Sequence, residues 1–418
     1  MREIKWKLNN LPKSEEKEKG IEFLRDEEIA KAKAFHESFP QYEKTPLVKL
    51  DNLAKSLGVS GIYVKDESYR FGLNAFKVLG GSYSMGRYLA QRLDTDISEL
   101  GYDKLTSKEI KEKLGEITFF TATDGNHGRG VAWTANKLGQ KSVVLMPKGS
   151  SEFRLNKIKG EGADASITDL NYDDAVRLAN DYAEADDHGV MVQDTAWDGY
   201  EEIPAWIMQG YGTMAKEAIE QLKEYGVDRP THVFVQAGVG SLAGAVQGYV
   251  ASIYDECPIT VVVEADEADC YYKSAEAGDG KPRFVGGDMP TIMAGLACGE
   301  PNTIGFEVLK NYSSAFVSAP DWVSAKGMRI LGNPLRGDEK VISGESGAVT
   351  TGALVSILES EDLKDLREAL KLDENSKVLL ISTEGDTDPD KYRDIVWNGE
   401  CLSLIHISEP TRPRLISY

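Results

Sequence analysis

The chain has 418 residues, 41% hydrophobic and 9% aromatic, enough to bury a large core and to form two or three domains. Its 68 acidic residues outnumber 48 basic ones, and the formal charge of -20 excludes a general attraction to nucleic acid or anionic lipid. No run nears the roughly 18 apolar residues of a membrane helix, and the opening MREIKWKLNNLPKSEEKEKG lacks the apolar stretch of a signal peptide, so the expected address is the cytoplasm.

The first twenty residues are charged and read as loosely ordered, after which EFLRDEEIAKAKAFHESF carries apolar positions at helical spacing up to Pro40. From Ile62 short β-rich runs alternate with longer amphipathic ones: IYVKD, a helix through NAFKVLGGSYSMGRYLAQRL, ITFFTA, then a helix from Asn126 to Leu138. Strand candidates follow in SVVLMP, ASIT, VMVQD, THVFVQ, ITVVVE and VLLIST. This alternation predicts an α/β fold with largely parallel strands in two sheets. The polar segment Asp94 to Glu116 holds Gly101 and Gly115 with few strong apolar positions, and reads as a surface connection near a domain border. Cys257, Cys270, Cys298 and Cys401 include no CxxC pair, which argues against a zinc ribbon, and no metal is expected. A Cys270–Cys298 disulfide stays open, because sequence separation does not give the Cα distance such a bond requires. The end after Cys401, LSLIHISEPTRPRLISY, has two prolines and no partner element, and reads as an appended tail.

Three segments carry chemistry. THVFVQAGVGSLAGAVQGYV runs from a strand through Gly238, Gly240 and Gly244 into a helix, which offers backbone N–H groups and a helix N-terminus to a phosphate. The same glycines also suit a bare tight turn, or a dinucleotide loop in which Glu264, at the end of the next strand, takes the ribose. In KDESYRFGLNAFKVLGG, Lys77 follows Asn74, a candidate N-cap, and sits among Phe76, Val78 and Leu79. On an open helix face it would be a solvated charge; enclosed, its pKa falls and its amine becomes nucleophilic toward an aldehyde. ITFFTATDGNHGRGVAWTA again turns from strand to helix, and Asp124, Gly125, Asn126, His127 and Gly128 offer polar atoms to an anionic ligand, unless they only cap the helix. Asp194 ends the strand of VMVQDTAW, where open α/β sheets keep site residues, and Glu345 with Ser346 and Gly347 opens another helix; a capping role suits both acids equally.

Together KDESYRFGLNAFK, TDGNHGRGVAW, QDTAWDGYEEIP, MAGLACGEPN, ISGESGAV and ISTEGDTD resemble the fold type II pyridoxal-phosphate enzymes, the family of threonine and serine dehydratases, cysteine synthases and tryptophan synthase β chains. The resemblance spans about Phe35 to Gly399 and is nearest the ammonia-lyase branch that acts on 2,3-diaminopropionate. The S-F-K-x-R form usual in threonine dehydratases is absent, with Ala75 before Phe76 and Val78, Leu79 after the lysine. The resemblance implies two open-sheet, three-layer α/β domains of the tryptophan synthase β-like type with the active site in the cleft between them. The larger, cofactor-binding domain would be 1–85 with 226–400, the smaller 86–225, and 401–418 would lie outside both.

Carried over by position, Lys77 is the Schiff-base residue for pyridoxal 5'-phosphate, and Gly238, Val239, Gly240 and Ser241 are the phosphate cup. Asn126 partners the cofactor's phenolic oxygen and Thr383 is the neutral partner of its pyridine nitrogen. Asp124 and Asp194 face the substrate and can bind the β-ammonium and supply a proton, with Asp124 also a base for a second enantiomer. The implied activity is α,β-elimination of D- or L-2,3-diaminopropionate to pyruvate and two ammonia by a homodimer. The rival readings are a serine or threonine dehydratase of the same fold, a nicotinamide-dependent oxidoreductase using the Gly238 loop and Glu264, and a non-catalytic amino-acid-binding protein.

Overall fold

A computed structural model describes residues 2–123 and 125–402. Runs rich in Val, Ile and Phe become eleven strands: β1 Lys5–Leu8, β2 Leu47–Lys49, β3 Gly61–Asp66, β4 Thr118–Ala122, β5 Lys141–Met146, β6 Asp164–Ile167, β7 Gly189–Met191, β8 His232–Gln236, β9 Ile259–Ala265, β10 Ala315–Ala319 and β11 Lys377–Ser382. Seven of them form one sheet in the order β1-β10-β9-β8-β11-β3-β2, and four form a second in the order β6-β5-β4-β7. Every pairing in the small sheet is parallel; in the large one only the outermost pairs, β1 with β10 and β2 with β3, are antiparallel. Helices between successive parallel strands bury both sheet faces, so β8 and β10, and β11 from Val378 on, are buried continuously rather than alternately.

The opening segment departs from its reading as loose chain. Trp6 pairs with Val317 in the β1–β10 ladder, and Ile21 and Leu24 are buried. The partner strand lies some three hundred residues away, which local charge cannot reveal. Asp94 to Glu116 forms short helices, Tyr102–Leu105 and Lys108–Leu114 among them, with Ile97, Leu100, Leu105 and Leu114 buried beneath. Of the tail, Cys401 and Leu402 are described and the remainder lies outside the described residues. Cys270 and Cys298 are not joined in a disulfide, so the open bond is not formed. Among the described residues no helix is long and apolar enough to cross a membrane.

Two helices set the position of the site. Val78–Arg92, which carries Lys77 at its head, crosses the long helix Glu202–Glu224 at close range. A Cβ added at Gly210 would come within 2.3 Å of the Leu79 carbonyl oxygen, so only glycine permits this approach. His36 bridges the crossing through Thr213 Oγ1 at 2.9 Å and the Leu79 carbonyl at 3.0 Å. Burial, with Arg70 nearby, holds its pKa at about 3, so it stays neutral.

Candidate active site

The C-terminal ends of strands from both sheets converge on one cavity of about 1260 Å³. Lys77, Asn126, Asp194, the segment Gly238 to Ser241, Glu345 and Thr383 all line it. Residues separate in sequence therefore meet at the position where open parallel sheets place their ligands.

Backbone bonds to the end of β11 lace the Lys77 segment in place. Phe76 donates its N–H to the Thr383 carbonyl at 3.0 Å, and Gly385 donates to the Asn74 carbonyl at 3.0 Å. Asn74 is not the helix cap the sequence suggests: it lies in the left-handed region at φ 62, and its amide donates to Asp386 at 3.1 Å. Lys77 itself occupies the cap position, leaving its side chain to reach the cavity, where 20% of it stays exposed.

The Lys77 ammonium donates to Asp194 Oδ2, which Tyr211 also approaches through its hydroxyl at 3.4 Å. The sequence reading expects enclosure to lower the lysine's pKa. Burial does pull it down, but Asp194 and then Tyr211 outweigh burial, and the net shift is upward. Burial likewise pushes the Asp194 carboxyl up, yet the Lys77 charge holds it at about 2. The two groups are an ion pair, not a neutral amine beside an acid.

Asp194 is fixed from behind. Val192 extends the β7 ladder by donating to Phe120 at 2.8 Å, and Gln193 accepts from Thr121 Oγ1 at 2.8 Å and from the Ala122 N–H at 3.1 Å. The next helix starts only at Glu202, so Asp194 caps nothing. Glu345 does not cap either: Gly344 is the cap residue, and the Glu345 carboxyl lines the cavity. Burial, then the neighbouring Glu384, push Glu345 up to about 7.

Asn126 begins the helix Asn126–Leu138, while Gly125 is its cap, and Asn126 donates through Nδ2 to Glu384 Oε2. Asp124 lies outside the described residues. In the glycine loop, Gly240 sits at φ 95, and a Cβ there would fall 1.9 Å from the Tyr271 hydroxyl. This left-handed turn directs the chain into helix Ser241–Ile253, whose N-terminal N–H groups border the cavity. Thr383 Oγ1 accepts from Gln236 at 3.1 Å, which leaves its own hydroxyl proton for a ligand.

These groups fit pyridoxal phosphate: a glycine cradle with helix N–H donors for the phosphate, a neutral hydroxyl for a ring nitrogen, and a lysine able to reach an aldehyde. A dinucleotide fits badly. Glu264, its expected ribose ligand, is fully buried and accepts from the Tyr271 and Tyr272 N–H groups at 2.8 and 2.7 Å, and does not line the cavity. Sequence reasoning gave no role to Gln236, Glu384, Tyr211 or Asn302. The only sequence signal for Glu384 and Asn302 is their place inside ISTEGDTD and MAGLACGEPN.

The chain belongs to the pyridoxal-phosphate-dependent enzyme family, whose model matches residues 39–384, and its fold is the fold type II architecture. Among its relatives, diaminopropionate ammonia-lyase of Salmonella typhimurium (strain LT2) is 56% identical over 368 residues, 88% of this chain and 91% of that protein. The crystal structure of Escherichia coli diaminopropionate ammonia lyase in complex with D-serine matches with a TM-score of 0.87 at 46% identity, covering 96% of this chain and 98% of that one. The same enzyme in complex with an aminoacrylate-PLP azomethine reaction intermediate matches at 0.85, with the same identity and coverage.

Proposed function

We propose that the chain catalyses the pyridoxal-phosphate-dependent α,β-elimination of 2,3-diaminopropionate, releasing pyruvate and two ammonia. The observation that carries this reading is the Lys77–Asp194 ion pair, which lines the same cavity as the glycine loop. Lys77 would hold the cofactor's aldehyde carbon, Gly238, Val239, Gly240 and Ser241 its phosphate, Thr383 its ring nitrogen and Asn126 its phenolic oxygen. Bound there, the cofactor supplies a conjugated ring that spreads the negative charge left when the Cα proton departs.

The protein's groups do the rest. Lys77 Nζ, once it has left the ion pair and given its extra proton to solvent, would be a neutral amine able to take the Cα proton. Asp194 then faces a second cation, the β-ammonium of the substrate, at the place where it held Lys77. Asp194 carries its negative charge in the pair with Lys77 and would keep it beside the β-ammonium that takes the lysine's place, so it acts as the charge anchor. The β-nitrogen leaves as ammonia with the proton it arrived with. Asp124 keeps its sequence-based assignment as the base for the opposite enantiomer.

In this reading residues 1–85 with 226–400 form the cofactor-binding unit and 86–225 the smaller one; β4 to β7 fall inside the second range. By analogy with enzymes that resemble it the chain would be a homodimer, which light scattering tests directly, and the cytoplasm remains its expected address. For the activity, pyruvate and ammonia release are measured from each diaminopropionate enantiomer and from serine, with a spectrum taken before mixing. We expect a visible band and a clear preference for diaminopropionate. Faster turnover of serine would make the enzyme a dehydratase, and a colourless active protein would sink the reading.

A further inference from the structure

Asn302, the last residue of MAGLACGEPN, is fully buried and uses its polar atoms at the junction of three segments. Its N–H donates to the Val239 carbonyl at 2.7 Å, inside the glycine loop. Its Oδ1 accepts from the Gly305 N–H at 2.9 Å and so caps helix Thr303–Tyr312. Its Nδ2 donates to Ser241 Oγ at 2.8 Å and to the Asp194 carbonyl at 3.3 Å. The Ser241 hydroxyl in turn donates to that same Asp194 carbonyl. Gly305 packs just beneath, where a Cβ would come within 2.9 Å of the Gly240 carbonyl oxygen, so the segment has little room to shift.

A hydroxyl has one proton to give. Ser241 spends it on Asp194 here, and a phosphate seated in the loop would compete for it. The Asp194 carbonyl would then keep Asn302 as its donor, while Ser241 Oγ would still accept from Asn302. We propose that Asn302 is a positioning residue that aims the Ser241 hydroxyl at the cofactor phosphate while holding Asp194 in its seat beside Lys77. The proposal rests on the reading that Gly238 to Ser241 takes a phosphate.

The test uses Asn302→Ser, because serine is also a good helix N-cap and the helix start is preserved. The ligand-free melting midpoint of the variant serves as the folding control. Inorganic phosphate is the first ligand, its affinity read from the rise in melting midpoint with concentration. Asn302→Ser is expected to weaken phosphate binding about tenfold, as for a lost hydrogen bond to a charged partner. On a Ser241→Ala background the same substitution should change it less than about twofold, because its effect runs through Ser241. Equal effects in both backgrounds would mean a merely structural role and overturn the proposal. If Ser241→Ala weakens binding but Asn302→Ser does not, the proposal alone falls. If neither alters phosphate affinity, the loop is not the phosphate site and the functional reading falls with it. With cofactor saturating, Asn302→Ser should also lower kcat about tenfold at nearly constant KM for diaminopropionate, through the loosened Asp194. An unchanged kcat would break the link to Asp194 and overturn the proposal.

Discussion

Two lysines lie within a dozen residues of each other, both beside carboxylates, and they do opposite things. Lys65, in β3, is fully buried and gives its protons to the Thr45 carbonyl at 2.8 Å, Glu217 at 2.7 Å and Gln221 at 2.8 Å. Arg70 closes the same cluster by bonding Glu67 and Glu217, each at 2.7 to 2.9 Å. Burial pulls Lys65 down, and it would push Glu217 up, but Arg70 and Lys65 together hold that carboxylate at about 2. Lys77 has one carboxylate and a cavity. Its ammonium retains unspent hydrogen-bonding capacity, and its pKa is raised by a partner that an incoming ligand can replace. What separates a structural lysine from a chemical one is therefore the number of acceptors around it, together with an opening onto a cavity.

That contrast can be broken in four places. Lys77→Ala should abolish both turnover and the visible band that borohydride removes, without unfolding the protein; retained colour would mean the cofactor sits on another residue. Asp194→Asn keeps the shape and removes the charge, and should lower kcat by about 10²- to 10³-fold. A normal kcat would show that Asp194 anchors nothing in the reaction. On the closed side, Glu217→Leu strands the Lys65 charge and should cost about 3–5 kcal/mol in a denaturant titration. Loss of catalysis in the remaining folded fraction would mean that the cluster is not purely structural.

The smallest effect concerns pH. Burial, then the neighbouring Glu384, push the Glu345 carboxyl up to about 7 in the folded chain, from an ordinary value of 4.5. Between those values the folded chain binds a proton that the unfolded chain has released, so this group's contribution to stability falls as pH rises. The slope is at most about 1.4 kcal/mol per pH unit. Glu345→Gln should flatten unfolding free energy across that window in the cofactor-free protein, and an unchanged slope would assign the titration elsewhere.

The comparison also explains what could be read in advance. The helix from Asn126 to Leu138 and the parallel strands were legible because apolar periodicity is a local signal. β10 was not: AFVSA is short, rich in small residues, and made a strand by β9 on one side and β1 on the other. Lys77 could be singled out from its neighbours, but its charge state could not, since the group that sets it stands at the end of β7 in the other sheet. Glu264 shows the reverse error, a correct spacing whose side chain turns away from the cavity to cap a helix. Motifs indicate which residues gather; the direction of a proton depends on contacts that no spacing encodes.

The ladder between β1 and β10 has a consequence for the molecule among its neighbours in solution. A parallel sheet ending at β10 would present a row of unpaired N–H and C=O groups able to template another chain. The short KWKL strand covers that row and carries Lys5 and Lys7 at the rim. β10 is thereby closed to edge-to-edge pairing, far from the chemistry.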